Sequence, residues 1–152
     1  MEAADRFAAF GPVRSFPQGT RTAQDAADAI GCAVGQICKS LVFRLAGEAG
    51  GPLLVVTSGA NRVDPDRVGA MVGARLERAD AAFVRHHSGF AIGGVPPFGW
   101  TGATPVVPTL VDEDLLAHDE VWAAAGTPTE VFPLSPAELV RRTGGRVAGV
   151  RA

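Results

Sequence analysis

One run of the chain constrains the fold more than any other. PLLVVTSG, residues 52–59, holds four consecutive branched aliphatic residues and shows no polar alternation. A strand of this kind has to be covered on both faces. The preceding segment KSLVFRLA, residues 39–46, is also rich in β-formers, and the short GEAGG between them predicts a hairpin turn. The two segments therefore predict an antiparallel pair inside a covered sheet.

Helix signals surround this strand pair. Residues 2–10 read as a short amphipathic helix, and further helices are predicted by three N-cap residues, Thr22, Asp64 and Ser135. Short strands are expected in TPVVPTLVD, EVWAAAG and TEVFPL, the first of them at an edge or a bulge because it contains Pro108. Helices and strands are intermixed without a strict βαβ order. The fold class predicted is α+β, with one domain over residues 1–152 and a mixed central β-sheet on which helices pack.

Composition and charge exclude several classes of protein. Hydrophobic residues make up 47% of the 152 residues and charged residues 20%, which is typical of a globular chain. The net charge of −2 argues against a DNA-binding protein and limits any contact with nucleic acid to a small, local one. No apolar run approaches the ~20 residues of a membrane span. The first ten residues lack the pattern of a signal peptide. We therefore expect a cytoplasmic protein with no membrane partner.

The cysteines and histidines do not form a metal-binding pattern. The spacing of Cys32 and Cys38 matches neither a CxxC redox pair nor a zinc knuckle, so both are interpreted as small hydrophobes near a core. No HExxH is present, and neither a metal nor any other cofactor is predicted. His86 and His87 end a predicted helix, where favourable interaction with the helix dipole is a more frequent reason for a histidine than catalysis.

A cluster of acidic residues follows the TPVVPTLV segment. It contains Asp112, Glu113, Asp114 and Asp119. Acidic residues are common in the first turn of a helix, so this cluster is interpreted as the start of a helix on a solvated face.

Lys39 is the first candidate for chemistry. It stands at the beginning of a predicted strand, where a lysine can lay its stem on apolar residues and hold its ammonium at the edge of a pocket. Such a charge can bind a phosphate or polarise a carbonyl. It is also the only lysine, since the other thirteen of the fourteen basic residues are arginine. The alternative is an ordinary solvated lysine at a strand end.

The segment GFAIGGVPPFG, residues 89–99, is the second candidate. It contains no side chain that can form a hydrogen bond, so its backbone is the part that could act on a ligand. Gly93 and Gly94 can let a ligand approach the main chain, and the following prolines stiffen the loop. The alternative is a buried structural crossover. Residues expected to line a pocket with it are Ile92, Val95, Pro96, Pro97, Phe98 and the alanines at 123–125, with Gly126 and Thr127 from a turn nearby.

Five blocks of the sequence resemble one known family. VGQICKSLVF, SGANRVD, GFAIGGVPPFG, VWAAAGTP and FPLSPAELVRRTGG occur in the order and spacing of the YbaK and prolyl-tRNA synthetase editing-domain family. The similarity extends from about Phe16 to Val150, and the chain resembles a freestanding member.

The resemblance implies an activity and a site. Members are aminoacyl-tRNA deacylases that hydrolyse the ester joining a wrong amino acid to the terminal adenosine of a tRNA, often proline tRNA, without a metal. By resemblance, Lys39 is the essential polar side chain, and Gly93 and Gly94 place main-chain groups near the scissile ester. A free hydroxyl of the adenosine is thought to help activate water, or a substrate thiol attacks. The implied partners are the acceptor end of an aminoacyl-tRNA and, as a further candidate, an aminoacyl-tRNA synthetase.

Two departures from the family pattern leave the substrate open. Ala124 or Ala125 stands where the cysteine-specific branch carries a serine, and Ser40 stands where alanine-editing relatives tend to have asparagine. Ser40 is thus a candidate substrate-binding residue, and serine, threonine and 2-aminobutyrate remain candidate amino acids. The leading hypothesis is a trans-acting deacylase. The alternatives are a non-catalytic module that binds aminoacyl-tRNA or a synthetase, and an unrelated small-molecule hydrolase.

Overall fold

The computed structural model describes residues 3–16, 22–48 and 50–152. The α-helices are α1 Ala3–Phe7, α2 Ala23–Ile30, α3 Pro65–Val72, α4 Ala81–Ser88 and α5 Pro136–Thr143. The strands are β1 Arg14–Ser15, β2 Cys38–Leu45, β3 Pro52–Ser58, β4 Leu76–Arg78, β5 Thr109–Asp112, β6 Val121–Ala124, β7 Glu130–Leu134 and β8 Arg146–Ala148. Short 3-10 helices cover Ala8–Phe10, Val34–Gln36 and Glu113–Ala117. The predicted α+β fold is confirmed.

The hairpin of β2 and β3 is the centre of a five-stranded mixed sheet. The strand order is β4-β2-β3-β5-β8, with β3 parallel to β5 and β5 parallel to β8. β2 and β3 pair antiparallel, as predicted, in a register that sets Lys39 opposite Thr57. All seven residues of β3 are buried, because its side chains alternate between two separate cores on the two faces of the sheet.

The two faces of this sheet are covered by different elements. Val68 and Met71 of α3 pack on one face. The other face packs against Leu139 of α5 and against a second, three-stranded antiparallel sheet of order β1-β7-β6. Phe132 of β7 lies between the two sheets with the Phe7 ring stacked on it, at a centroid distance of 4.6 Å. The predicted strands EVWAAAG and TEVFPL therefore form a hairpin outside the large sheet.

The predicted helix caps are present. The side chains of Thr22, Asp64 and Ser135 each accept a hydrogen bond from a backbone N–H in the first turn of the following helix. The Glu138 side chain pairs with Arg141 and Arg142 in the last turn of α5. Local side-chain chemistry thus determined where these helices begin.

The prediction of an edge strand or a bulge at Pro108 is wrong. β5 begins one residue after Pro108 and lies between β3 and β8. Proline has no backbone N–H to donate, but its carbonyl can still accept. The Pro108 carbonyl accepts a hydrogen bond of 2.9 Å from the Leu54 N–H. Proline therefore fits at the entrance to a central strand. No helix among the described residues is both long and apolar enough to cross a membrane.

Candidate functional site

An open cavity of about 470 Å³ lies beside the first half of β2. β4 pairs only with the segment 43–45 of β2, so the segment before it borders the cavity instead of a neighbouring strand. The volume is within the range of small-molecule sites, about 300–1,000 Å³. Its wall is mainly apolar and consists of Ser40, Leu41, Val42, Phe43, Pro65, Leu76, Glu77, Arg78, Ala79, Val84, Ile92, Gly93 and Val95.

Ser40 supplies an unsatisfied polar atom to this wall. Its Oγ is buried and has no hydrogen-bond partner among the residues that the structure describes. Most buried hydroxyl groups in folded proteins are hydrogen-bonded, and an unpaired one lowers stability. The Ser40 hydroxyl is therefore a wall group whose unmet hydrogen bond a ligand could satisfy.

Lys39 lies on the other face of β2 from Ser40, because successive side chains of a strand alternate. Its half-buried side chain ends with Nζ donating to the carbonyl of Asn61 at 3.1 Å. Burial and the nearby Arg62 guanidinium both lower the pKa of Lys39. Within the described parts of the chain, no carboxylate lies within ion-pair distance of this ammonium. The charge is thus available to an anionic or carbonyl-bearing ligand.

A buried carboxylate lies behind Lys39. Asp112, at the end of β5, is only 1% exposed, so the expectation that it lies on a solvated face is wrong. It accepts hydrogen bonds from Thr57 Oγ1 (3.0 Å), Ser58 N (3.0 Å) and Asn61 Nδ2 (2.8 Å) on Oδ2. The acidic cluster does begin a helix, a 3-10 helix, and Asp112 caps it through the Asp114 N–H.

The hydrogen bonds to Asp112 decide its ionisation. Burial raises the pKa of Asp112, but hydrogen bonds from the Ser58 N–H, the Asn61 amide, the Asp114 N–H and the Thr57 hydroxyl together outweigh it. The net effect is a pKa below the ordinary value. The side chain is therefore ionised at neutral pH although it is buried.

The glycine loop, residues 89–99, borders the other side of the cavity. Gly93 is exposed at the cavity wall with φ of 90°, a conformation that favours glycine. Gly94 does not have a positive φ and is buried against the turn after β6. A Cβ added to Gly94 would lie 2.8 Å from both Cα and C of Thr127, so this position admits only glycine. The loop is thus fixed by close packing of backbone on backbone.

The chain matches the family model described as the aminoacyl-tRNA editing domain over residues 17–142. It belongs to that family. The editing domain is similar in sequence to the uncharacterized protein YwhH of Bacillus subtilis (strain 168), at 31% identity over 127 residues, which cover 84% of this chain and 78% of YwhH.

Two solved structures extend the comparison. A crystal structure described as a candidate trans-editing enzyme for prolyl tRNA synthetase is 43% identical, with a TM-score of 0.87 over 100% of this chain and 98% of that one. The hypothetical protein APE2540 is 30% identical, with a TM-score of 0.84 over 99% of this chain and 100% of that one. The editing domain therefore shares both fold and sequence with these proteins.

The structure brings together only part of the residue set predicted for the editing domain. Ser40, Ile92, Gly93 and Val95 line one cavity, with Lys39 next to Ser40 in the chain. Gly94 packs on the turn that contains Gly126 and Thr127, just outside the cavity wall. Pro96 is buried and accepts a hydrogen bond of 3.0 Å from Trp100 Nε1 through its carbonyl.

Other predicted residues lie elsewhere. Pro97 and Phe98 line a separate cavity of about 100 Å³, and the Phe98 ring packs on Phe7 at a centroid distance of 5.6 Å. Ala123 and Ala125 are buried in the core between the two sheets. The wall of the large cavity also contains two charged residues, Glu77 and Arg78, that were not predicted from the sequence. They were missed because the three-residue β4 carries no clear strand signal.

The two histidines do not line the cavity. His87 Nδ1 lies 2.7 Å from Thr104 Oγ1, and its ring contacts Phe83 at a centroid distance of 4.5 Å. Burial and the adjacent His86 lower the pKa of His87. Both histidines are in the last turn of α4, and neither lines the cavity.

Proposed function

We propose that the chain is a trans-acting deacylase that hydrolyses the ester of a small amino acid mischarged onto a tRNA, with proline tRNA as the first candidate. The observation that carries this proposal is an apolar cavity lined by Ser40, next in the chain to Lys39, a lysine that has no ion-pair partner in the described residues. A pocket of this kind can hold a small side chain while the cation contacts the phosphate or ester of the tRNA end. The acting unit proposed is one editing domain over residues 1–152.

The proposed reaction is attack of water on the ester carbonyl. The attacking water gives up a proton, and the tetrahedral intermediate that forms carries a negative oxygen. This intermediate collapses as the C–O bond to the ribose breaks, and the ribose oxygen takes up the proton that the water released. The products are a free amino acid and an uncharged tRNA end. Lys39 is the proposed electrostatic contact, either to the terminal phosphate or to the ester oxygen, and such contacts act best when they are held in place before reaction.

The glycine loop has a complementary proposed role. The Gly93 backbone is at the cavity wall and carries no side chain that would exclude the ester. Ser40, Ile92 and Val95 line the space proposed for the amino-acid side chain. Gly94, Gly126, Thr127 and Pro96 support this wall from behind, through the contacts described above. The proposed nucleic-acid contact is confined to the acceptor end, in keeping with the net charge of −2.

The apolar wall supports selection by size. One methylene group in such a pocket changes binding by only about 1–3 kcal/mol, so several small amino acids should be accepted together. We expect hydrolysis of seryl, threonyl, alanyl or 2-aminobutyryl esters at rates within about two orders of magnitude of each other. Bulky esters such as phenylalanyl-tRNA should be excluded.

A panel of mischarged tRNAs tests the proposal. Purified protein is mixed with tRNAs carrying different labelled amino acids, and the release of each amino acid is followed. Release from the small esters, with no release from phenylalanyl-tRNA, is the expected result. Tight binding of the same tRNAs without release would favour the non-catalytic module. Equal rates on alanyl, seryl and phenylalanyl esters would contradict selection by the cavity.

A further inference from the structure

A polar row crosses the ends of the three central strands. Lys39 of β2 is in register with Thr57 of β3. β3 and β5 are parallel with Val56 opposite Val111, so the next residues along, Thr57 and Asp112, are neighbours. Their side chains are joined by the hydrogen bond of 3.0 Å from Thr57 Oγ1 to Asp112 Oδ2. The carboxylate is thus bound to the residue directly opposite Lys39.

Asn61 connects the other end of the lysine to the same carboxylate. Its amide nitrogen donates to Asp112 Oδ2 and to Asp114 Oδ2, both at 2.8 Å. Its backbone N–H donates to the carbonyl of Ser58 at 2.9 Å. Asn61 is therefore held through its side-chain amide and its backbone N–H, and its carbonyl accepts the bond from Lys39 Nζ.

The hydrogen-bonding of Asp112 is unusual for a buried charge. Within the described residues it has no cationic partner, and its oxygens are satisfied by amide, hydroxyl and backbone N–H donors alone. Burying a carboxylate in this way is unfavourable unless every bond is made, and it imposes a single geometry when they are. Two of these bonds fix the groups next to Lys39, at its strand partner and at the loop that receives its ammonium.

We infer that Asp112 and Asn61 are positioning residues, which hold the Lys39 ammonium in one place at the Asn61 carbonyl, on the residue that precedes the cavity-lining Ser40. The consequence for catalysis rests on the deacylase function proposed above, whereas the effect on Lys39 itself can be measured without any substrate.

Lys39 can be observed directly because it is the only lysine. Protein labelled with ¹³C only in lysine should give a single side-chain spin system by NMR. The two protons on Cε differ in chemical shift when the side chain is held in one environment and merge when it rotates freely. We expect two distinct shifts in the unmodified protein and merged shifts in Asn61→Ala, which keeps the accepting carbonyl but removes the amide that fixes it.

A matched control separates positioning from loss of stability. Ser135→Ala removes the hydrogen bond that caps α5, which is an element absent from the cavity wall. It should lower the melting temperature while leaving the two Lys39 shifts distinct. Asp112→Asn should merge the shifts as Asn61→Ala does. If that variant does not fold, Asn61→Ala decides the question, because it removes no buried charge.

Kinetics in two backgrounds give a second, independent readout. Asn61→Ala should lower single-turnover deacylation about tenfold in the unmodified protein and by less than about twofold when Lys39→Ala is already present, since contacting residues are not additive. A purely structural role would lower the rate equally in both backgrounds.

The outcomes are distinguishable. Distinct Lys39 shifts in Asn61→Ala, merged shifts in the unmodified protein, or an equal rate loss in both backgrounds would each overturn the inference. If the unmodified protein hydrolyses no ester on the panel, the proposed function fails, and the NMR comparison alone still decides whether Asp112 and Asn61 position the lysine.

Discussion

The two sides of the cavity are held in place by different forces. Around Lys39, the strand ends are joined by hydrogen bonds that converge on the carboxylate of Asp112. The glycine loop, residues 89–99, has no polar side chain. Its backbone is held by the Gly94 N–H bond to the Ala91 carbonyl, by the Trp100 Nε1 bond to the Pro96 carbonyl and by the close contact of Gly94 with Thr127. The first side depends on side-chain hydrogen bonds. The second depends on a close approach of backbone to backbone that only a glycine at position 94 allows.

This difference determines which substitutions each side tolerates. A side chain near Lys39 cannot lose its hydrogen bond without leaving a buried partner unsatisfied. The loop, in contrast, has little to lose by deletion of a polar group and is sensitive to the addition of one methyl group. Substitutions around Lys39 should therefore change activity and the pH dependence of stability. Substitutions in the glycine loop should change mainly the stability itself.

The largest expected effect is on activity, at Lys39. Lys39→Ala should lower the deacylation rate by about 10²–10³-fold, which is typical of losing one preorganised electrostatic contact. Lys39→Arg should recover little, because a planar guanidinium is larger and presents its donors differently. The free energy of unfolding should change little in either variant, since Lys39 makes one hydrogen bond and no ion pair in the described residues.

Single-turnover hydrolysis of the best ester and urea unfolding check this prediction. Arg146→Ala, which removes an exposed cation from β8, is the control and should behave as the unmodified protein. A Lys39→Ala rate within threefold of the unmodified protein, far less than the ~10² expected, would show that Lys39 is an ordinary surface lysine.

The next effect is on stability, at Gly94. A valine there would place Cβ 2.8 Å from the backbone of Thr127 and 3.1 Å from Pro128 N. Backbone cannot yield as a flexible side chain does, and forcing extra atoms into a packed site lowers stability by about 1–3 kcal/mol. Gly94→Val should therefore melt well below the unmodified protein, and any loss of activity would follow from displacement of the loop.

Gly51→Ala is the matched control for a glycine substitution. An added Cβ at Gly51 meets no atom of the described residues within 4 Å, and its φ is outside the left-handed region. Its melting temperature should equal that of the unmodified protein. If Gly94→Val also melts normally but is inactive, the loop tolerates the side chain and its backbone acts on the ligand directly.

The third effect is on the pH dependence of stability, at Asp112. Its pKa is lowered in the folded protein, so the ionised side chain stabilises the fold above its unfolded pKa of about 3.9. This contribution is lost as the pH falls from about 4 through the lower folded pKa. Asp112→Asn should reduce the free energy of unfolding by about 1–3 kcal/mol at pH 7, with a smaller difference at pH 3.

Urea unfolding at the two pH values measures this difference. Asp80→Asn is the control, because Asp80 caps α4 from the surface and asparagine caps a helix as well as aspartate does. It should shift stability little at either pH. A constant difference between Asp112→Asn and the unmodified protein from pH 7 to pH 3 would mean that the ionised form is not what stabilises the fold.

The sequence predicted those features that depend on neighbours in the chain. The β2–β3 hairpin and the starts of α2, α3 and α5 follow from local hydrophobic runs and cap residues, and the structure has all of them. Asp112 was misjudged because its local context, VDED, is that of a solvated acidic turn. Its burial comes from the parallel pairing of β5 with β3, whose residue Thr57 is 55 positions earlier.

The site was predictable in part for the same reason. Ile92, Gly93 and Val95 were correctly assigned to the cavity wall because the glycine loop is recognisable from its own local sequence, whereas Ser40 was singled out through the family resemblance. Phe98 was assigned to that wall but belongs to an aromatic cluster with Phe7, which is far from it in the chain. Long-range packing, which the local pattern does not contain, thus decides which loop residues reach the cavity.

The smallest expected effect is at Ser40, and it compares two buried serines. Ser88 donates to the Val84 carbonyl at 2.6 Å and accepts from the Phe90 N–H at 3.0 Å, so Ser88→Ala leaves a buried donor unpaired and should lower stability by about 1–3 kcal/mol. The Ser40 hydroxyl has no such partner in the described residues. Ser40→Ala should therefore leave the free energy of unfolding unchanged or slightly higher.

Its effect should appear in substrate preference instead. One hydrogen bond contributes about 0.5–1.5 kcal/mol, so Ser40→Ala should lower kcat/KM about 2–13-fold for an ester whose polar side chain bonds to the hydroxyl, such as a seryl ester. The alanyl ester, which has no polar group to bond, should be unaffected. Thermal melts together with kcat/KM for both esters test this, with Ser88→Ala as the control that loses stability without changing the ratio. An unchanged ratio in Ser40→Ala would mean that the amino-acid side chain does not reach this hydroxyl.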